Sequence, residues 1–157
     1  MNIFILDLDQ ARNAQYHVDK HVVKMITEHN QLLCTAHHVA GSNHIPPYKR
    51  THVNHPCAIW VRESLTNYIW LTELNWWLCK EYTYRYGKIH KGEEVNQWCI
   101  DHHPNVADVG YTMFKQAMPD ECKRPDAVEA YRAYYNSHKR NLFAWKKREI
   151  PIWIKEI

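Results

Sequence analysis

With four glycines in 157 residues, the chain has no glycine-rich phosphate loop, no GxSxG nucleophile elbow and no CxxC pair. These absences remove most of the common nucleotide-dependent, serine-hydrolase and dithiol classes. No apolar run approaches the ~20 residues needed to cross a bilayer. The start, MNIFILDLD, has no basic n-region and turns acidic at once, so it does not read as a secretory signal. Repeats, low-complexity tracts and linkers are also missing. Neither sign of charge dominates, since twenty Lys and Arg face seventeen Asp and Glu. Such a balance permits a nucleic-acid partner without arguing for one, and local clusters such as Lys49-Arg50 carry more weight.

The five cysteines are scattered and odd in number, and they read as reduced thiols of a cytoplasmic protein. Seven Trp, ten Tyr and three Phe supply core area or flat stacking surfaces. A length of 157 residues suits one domain with a core of its own. The expected fold is all-α, a single compact helical domain spanning 1–157. Residues 2–6 form a short strand or an extended buried segment.

Helical periodicity places a first helix over about 11–40, with Asp7 or Asp9 as cap and Gly41 as stop. Its core face is Val18, Val22, Met25, Ile26, His29, Leu32, Leu33 and Ala36. The polar face is unusual. His17, His21, Lys24, Glu28 and Gln31 step by +4, +3, +4 and +3, which places them within an arc of roughly 80°. Two imidazoles, an amine, a carboxylate and an amide on one face suit proton transfer or the grip of a polar ligand. His17-x3-His21 also has the spacing of a helical metal pair, but no third ligand stands at a suitable distance, and neither metal nor cofactor is expected.

A loop over 41–54 follows, with two prolines, Tyr48, Lys49, Arg50, His52 and Asn54. Pro56 then starts a helix, with Asn54 or His55 as its cap. Backbone N–H groups at that start, with Lys49 and Arg50 upstream, would suit an anion. The second helix, about 56–84, is apolar nearly all round and belongs at the centre of the domain. Its polar members Arg62, Glu63 and Asn67 therefore need partners, either internal or from a ligand. Shorter helices are expected over 92–102 and 110–118, and a last one from Pro125-Asp126 to about Trp145. The apolar tail packs back on the body.

Two stretches, MNIFILDLDQARNAQYHVDKH and THVNHPCAIWVRESLTNYIWLTELNWWLCKEYTYRYGK, resemble the phage pyrimidine-dimer DNA glycosylase (endonuclease V) family over about half of the chain. The whole chain also resembles a group of uncharacterised phage proteins sharing the DKHVVKM and THxNHPCxxWVRES blocks. The glycosylase resemblance implies a small all-α fold whose N-terminal α-amine attacks the sugar C1′ and forms a Schiff base. A glutamate of the first helix assists, and basic residues hold kinked duplex DNA. An α-amine suits this role because part of it is neutral near neutral pH. Asn2 does not favour removal of Met1, so the amine is expected on Met1. Lys24 stands where the family's glutamate falls, and Glu28 is one turn further on.

The leading expectation is a glycosylase/lyase-type enzyme acting on a pyrimidine base of DNA, with Met1, His17, Lys24 and Glu28 as catalytic candidates. His21, Gln31, Tyr48, Lys49, Arg50, His52, Asn54, His55, Arg62 and Asn67 would bind the nucleic acid or nucleotide. The alternative is a protein that binds or processes a small nucleotide, in phage base modification or counter-defence. A plain interaction module is the third. None of the three involves a membrane. The expected location is the cytoplasm, that of the infected host if the chain is phage-encoded.

Overall fold

A computed structural model describes residues 1–155. Among them are six α-helices and no strand: α1 (Gln10–Tyr16), α2 (Asp19–Ala40), α3 (Pro56–Val61), α4 (Leu65–Tyr86), α5 (Glu93–Asp101) and α6 (Ala127–His138). Two 3-10 turns, Asp120–Cys122 and Arg140–Leu142, flank α6. The chain forms one all-α domain. The long helices α2 and α4 pack on each other, α1 lies on α4, and α3 and α5 close the sides of α2.

The expected core face of α2 is buried throughout. Asp9 caps α1 by accepting the Arg12 N–H at 2.9 Å, and Gly41 ends α2 with φ +92. Residues 2–6 are extended and buried, but they join no sheet. Their backbone is held by side chains: the Leu6 N–H donates to Asn13 Oδ1, and Arg132 Nε donates to the Leu6 carbonyl.

Four expected boundaries need correction. The helix over 11–40 is two helices, because His17 and Val18 are extended, with ψ of 134 and 155. The break is stable because tertiary donors take the carbonyls it frees. Arg85 reaches the Gln15 and His17 carbonyls and Asp19 Oδ1, each at 2.9 Å, and Trp145 Nε1 takes the Tyr16 carbonyl at 2.8 Å. The helix over 56–84 also divides, at Arg62–Ser64. Ser64 caps α4, which then runs on to an αL Gly87 with φ +69. Residues 110–118 form no helix. Asn67, Trp60, Asn2 and Tyr131 side chains bond their backbone and compete with helix hydrogen bonds. The last helix stops at His138, well short of Trp145.

All five cysteines are buried and free. The tail folds back only in part: Trp153 and Ile154 pack on the core, while Ile150 and Ile152 face outward. Residues 156 and 157 of that tail lie outside the described residues.

Candidate active site at the chain start

The buried 2–6 segment positions the first residue. Asn2 anchors it: its Oδ1 accepts the Ile3 N–H and lies 2.8 Å from the Tyr131 hydroxyl, and its Nδ2 donates to the Ala117 carbonyl at 2.8 Å. The Met1 side chain is thereby buried, 3 % exposed, and its α-amino nitrogen lies 3.3 Å from Glu28 Oε1. Glu28 keeps 14 % of its side-chain surface open. On α2 the expected face survives as Lys24, Glu28 and Gln31, with Lys24 exposed and the other two half-buried. Glu28, not Lys24, is the residue beside the amine.

The 41–55 loop runs back along this face of α2. His38 Nε2 lies 2.8 Å from the Tyr48 carbonyl. Thr35 Oγ1 donates to the Thr51 carbonyl at 2.9 Å and accepts the Thr51 N–H at 3.1 Å. His52 turns the chain with φ 50, the left-handed region a histidine enters at some cost. The turn delivers His55 to the start of α3. His55 Nδ1 accepts the Cys57 N–H at 3.1 Å, so neutral His55 carries its proton on Nε2. The ring feels the charges of the amine, His52 and Glu28. Burial first, then the ammonium and His52, hold its pKa below the usual histidine range. Cys57, close by, is not a competing nucleophile at neutral pH, because burial pushes its thiol up to about 11.

Lys49, Arg50, His52 and Asn54 are exposed on the loop, and the Tyr48 ring is half-buried. Four other expected site residues sit elsewhere. His17 ends α1 and is wholly buried, with Nδ1 2.7 Å from the Asn13 carbonyl. Burial drives its pKa down to about 4. The helix break takes it off the α2 face. His21 is on α2 but buried, stacked on Phe4 with ring centroids 4.3 Å apart and Nδ1 2.7 Å from the Tyr135 hydroxyl. Asn67 is fully buried, and its amide bonds the Trp60 carbonyl, Thr112 Oγ1 and the Thr112 N–H. Arg62 lies at the far end of α3 from His55, half-buried, with Nη1 lacking a partner among the described residues.

The sequence reading missed Asn2, Thr35 and Thr51, which position the site without lining it. The cap signal of His55-Pro56 was legible; the pairing of Thr35 with Thr51 was not. A cavity of about 780 Å³ between α4 and α5, lined by Trp76, Lys80 and Trp98, shares no residue with the amine site.

His55→Ala removes the α3 cap and is expected to cost about 1 kcal/mol in urea denaturation. His55→Asn restores the cap but not the imidazole near the amine. Recovery of stability in the asparagine variant alone separates these two roles.

The fold and site together define a class: an all-α domain with its α-amine paired to a helix carboxylate near His55. No protein-family model, curated protein or solved structure matches the chain.

Proposed function

We propose that the chain is a DNA-acting glycosylase/lyase-type enzyme directed at a pyrimidine base, with the Met1 α-amine as nucleophile. The observation that supports this reading is the 3.3 Å pairing of that amine with Glu28. A single ion pair of this kind adds little to stability. It serves catalysis well, because Glu28 can accept the ammonium proton and return it later. The amine nitrogen would attack the sugar C1′, the glycosidic bond would break, and an imine would form as the sugar ring opens. His55 would hold Met1 in place, and Lys24, Lys49 and Arg50 would meet phosphates. A base would have to leave the stack to bring its sugar to the amine.

Borohydride trapping tests this on undamaged, UV-irradiated, uracil-containing, hydroxymethyluracil-containing and abasic duplexes. The expected result is an adduct on a damaged or modified duplex, absent from undamaged DNA and mapping to Met1. Glu28→Gln should slow trapping by roughly 10²-fold or more, and one residue added before Met1 should abolish it. No adduct, or one on abasic DNA alone, counts against the reading. Thermal stabilisation by a mononucleotide without an adduct would favour the nucleotide-processing alternative.

A further inference from the structure

A second cluster lies where the Asp120–Cys122 turn meets the last turn of α6. Cys122 Sγ is 3.3 Å from Ser137 Oγ and 3.5 Å from His138 Nδ1. Ser137 Oγ donates to the Ala133 carbonyl at 2.7 Å. Ser137 Oγ also lies 2.8 Å from His138 Nδ1, so a proton of the Cys122 thiol can reach the ring directly or through that hydroxyl. On the other side of the ring, Nε2 lies 3.5 Å from Glu121 Oε1. A nucleophile, a base and a carboxylate that orients the base therefore stand in series.

The thiol sits in the wall of a surface pocket of about 280 Å³. Cys122 itself is 2 % exposed, and the exposed Ser137 and His138 border it. Three cations line the same pocket: Arg124, Arg140 and Lys155. Arg124 Nη1 donates to the Glu121 and Lys123 carbonyls, and Arg140 Nη2 to the Lys155 carbonyl. Arg140 Nη1 is buried without a partner among the described residues. Three cationic side chains around one pocket favour an anionic occupant.

We propose that Cys122 is a reactive thiol that exchanges with a small anionic disulfide of the glutathione type. His138 takes the thiol proton, and the thiolate attacks one sulfur of the disulfide. The new Cys122–sulfur bond forms as the old sulfur–sulfur bond breaks. The departing thiolate takes the proton back from His138. Cys122 is oxidised to the level of a mixed disulfide, the departing half is reduced to thiol, and the retained half keeps its oxidation state. Glu121 steadies the imidazolium, and the cations hold the reagent's carboxylates. The site owes nothing to the amine at Met1.

Glutathione disulfide and the cationic disulfide cystamine, applied separately to the native full chain, provide the test. Intact mass and peptide mapping follow the adduct. One glutathione is expected on Cys122, with cystamine slower at the same concentration. His138→Gln, a surface change compatible with folding, should slow the reaction roughly tenfold or more. Cys122 left unmodified by glutathione disulfide overturns the proposal. So does equal or faster reaction with cystamine, or an unchanged rate in His138→Gln.

Discussion

Replacing Arg85 by methionine is expected to lower the unfolding free energy by about 3–5 kcal/mol. The Arg85 side chain is wholly buried, yet it lies in four polar contacts. Its guanidinium closes the gap between α1 and α2 through the Gln15 and His17 carbonyls and Asp19, and it donates to Glu81 at 2.7 Å. Methionine matches its bulk and supplies none of these bonds. Arg148 still holds Glu81 through bonds of 3.0 and 2.9 Å, so that carboxylate is not orphaned. The loss falls instead on two carbonyls and on Asp19, all at the joint that aims α2. Lysine should rescue little, because one ammonium cannot reproduce the planar fork. The contrast is Lys80→Met, which breaks the exposed pair with Glu93 and should change stability by about 1 kcal/mol at most. Urea denaturation of the three variants decides it: a loss below about 1 kcal/mol in Arg85→Met would show that the joint holds without its arginine.

Acid should unfold this protein well before its carboxylates titrate. Burial drives the pKa of His17 down to about 4, of His29 to about 3, of His21 to about 3 and of His37 to about 4. In the unfolded chain each returns to near 6.5. The unfolded state therefore binds more protons in the window below 6.5. Stability is full above that pH and falls as pH drops toward the folded values. At pH 5 the difference is about 2 kcal/mol per histidine, or about 4 kcal/mol for His17 and His29 together. His21 and His37 add in the same direction. The structure makes the charged forms costly in a specific way. Nε2 of His17 and of His29 is buried with no partner among the described residues, so a second ring proton would have no acceptor there. Glu81 acts in a lower window. Burial pushes its carboxyl up, but hydrogen bonds from Arg148 and Arg85 outweigh this and hold it below the ordinary range. Its contribution is present above the unfolded carboxylate value and is lost only as pH falls through the folded one. Denaturation midpoints at pH 7.5 and pH 5.0 test the histidine account. Equal midpoints would mean that these rings are protonated in the fold without penalty.

His17 and His21 show how far the sequence could be read. The +4, +3 spacing correctly joined Lys24, Glu28 and Gln31, because helix geometry alone fixes which residues share a face. It wrongly extended that face to His17, because the helix ends there for a reason about seventy residues away in the chain. It also put His21 on the open face, where Phe4 and Tyr135 enclose it. The same spacing could not tell an imidazole open to a ligand from one stacked in a core. Asn67 repeats the lesson: a polar residue on an apolar helix needs a partner, and that partner, Thr112, came from a segment expected to be helical.

Sequence by itself determined the all-α class, the core face of α2 and its stop at Gly41, and it narrowed two caps to Asp7 or Asp9 and to Asn54 or His55; no helix among the described residues is long and apolar enough to cross a membrane. These depend on periodicity and on local backbone chemistry, which lie within a few residues of each position. Tertiary structure alone decided that α1 and α2 part at His17, that the 41–55 loop lies along α2, and that the Met1 amine meets Glu28. Each depends on hydrogen bonds or ion pairs between residues that chain spacing does not bring together. A buried carbonyl, carboxylate or ammonium accepts whichever partner the packing presents.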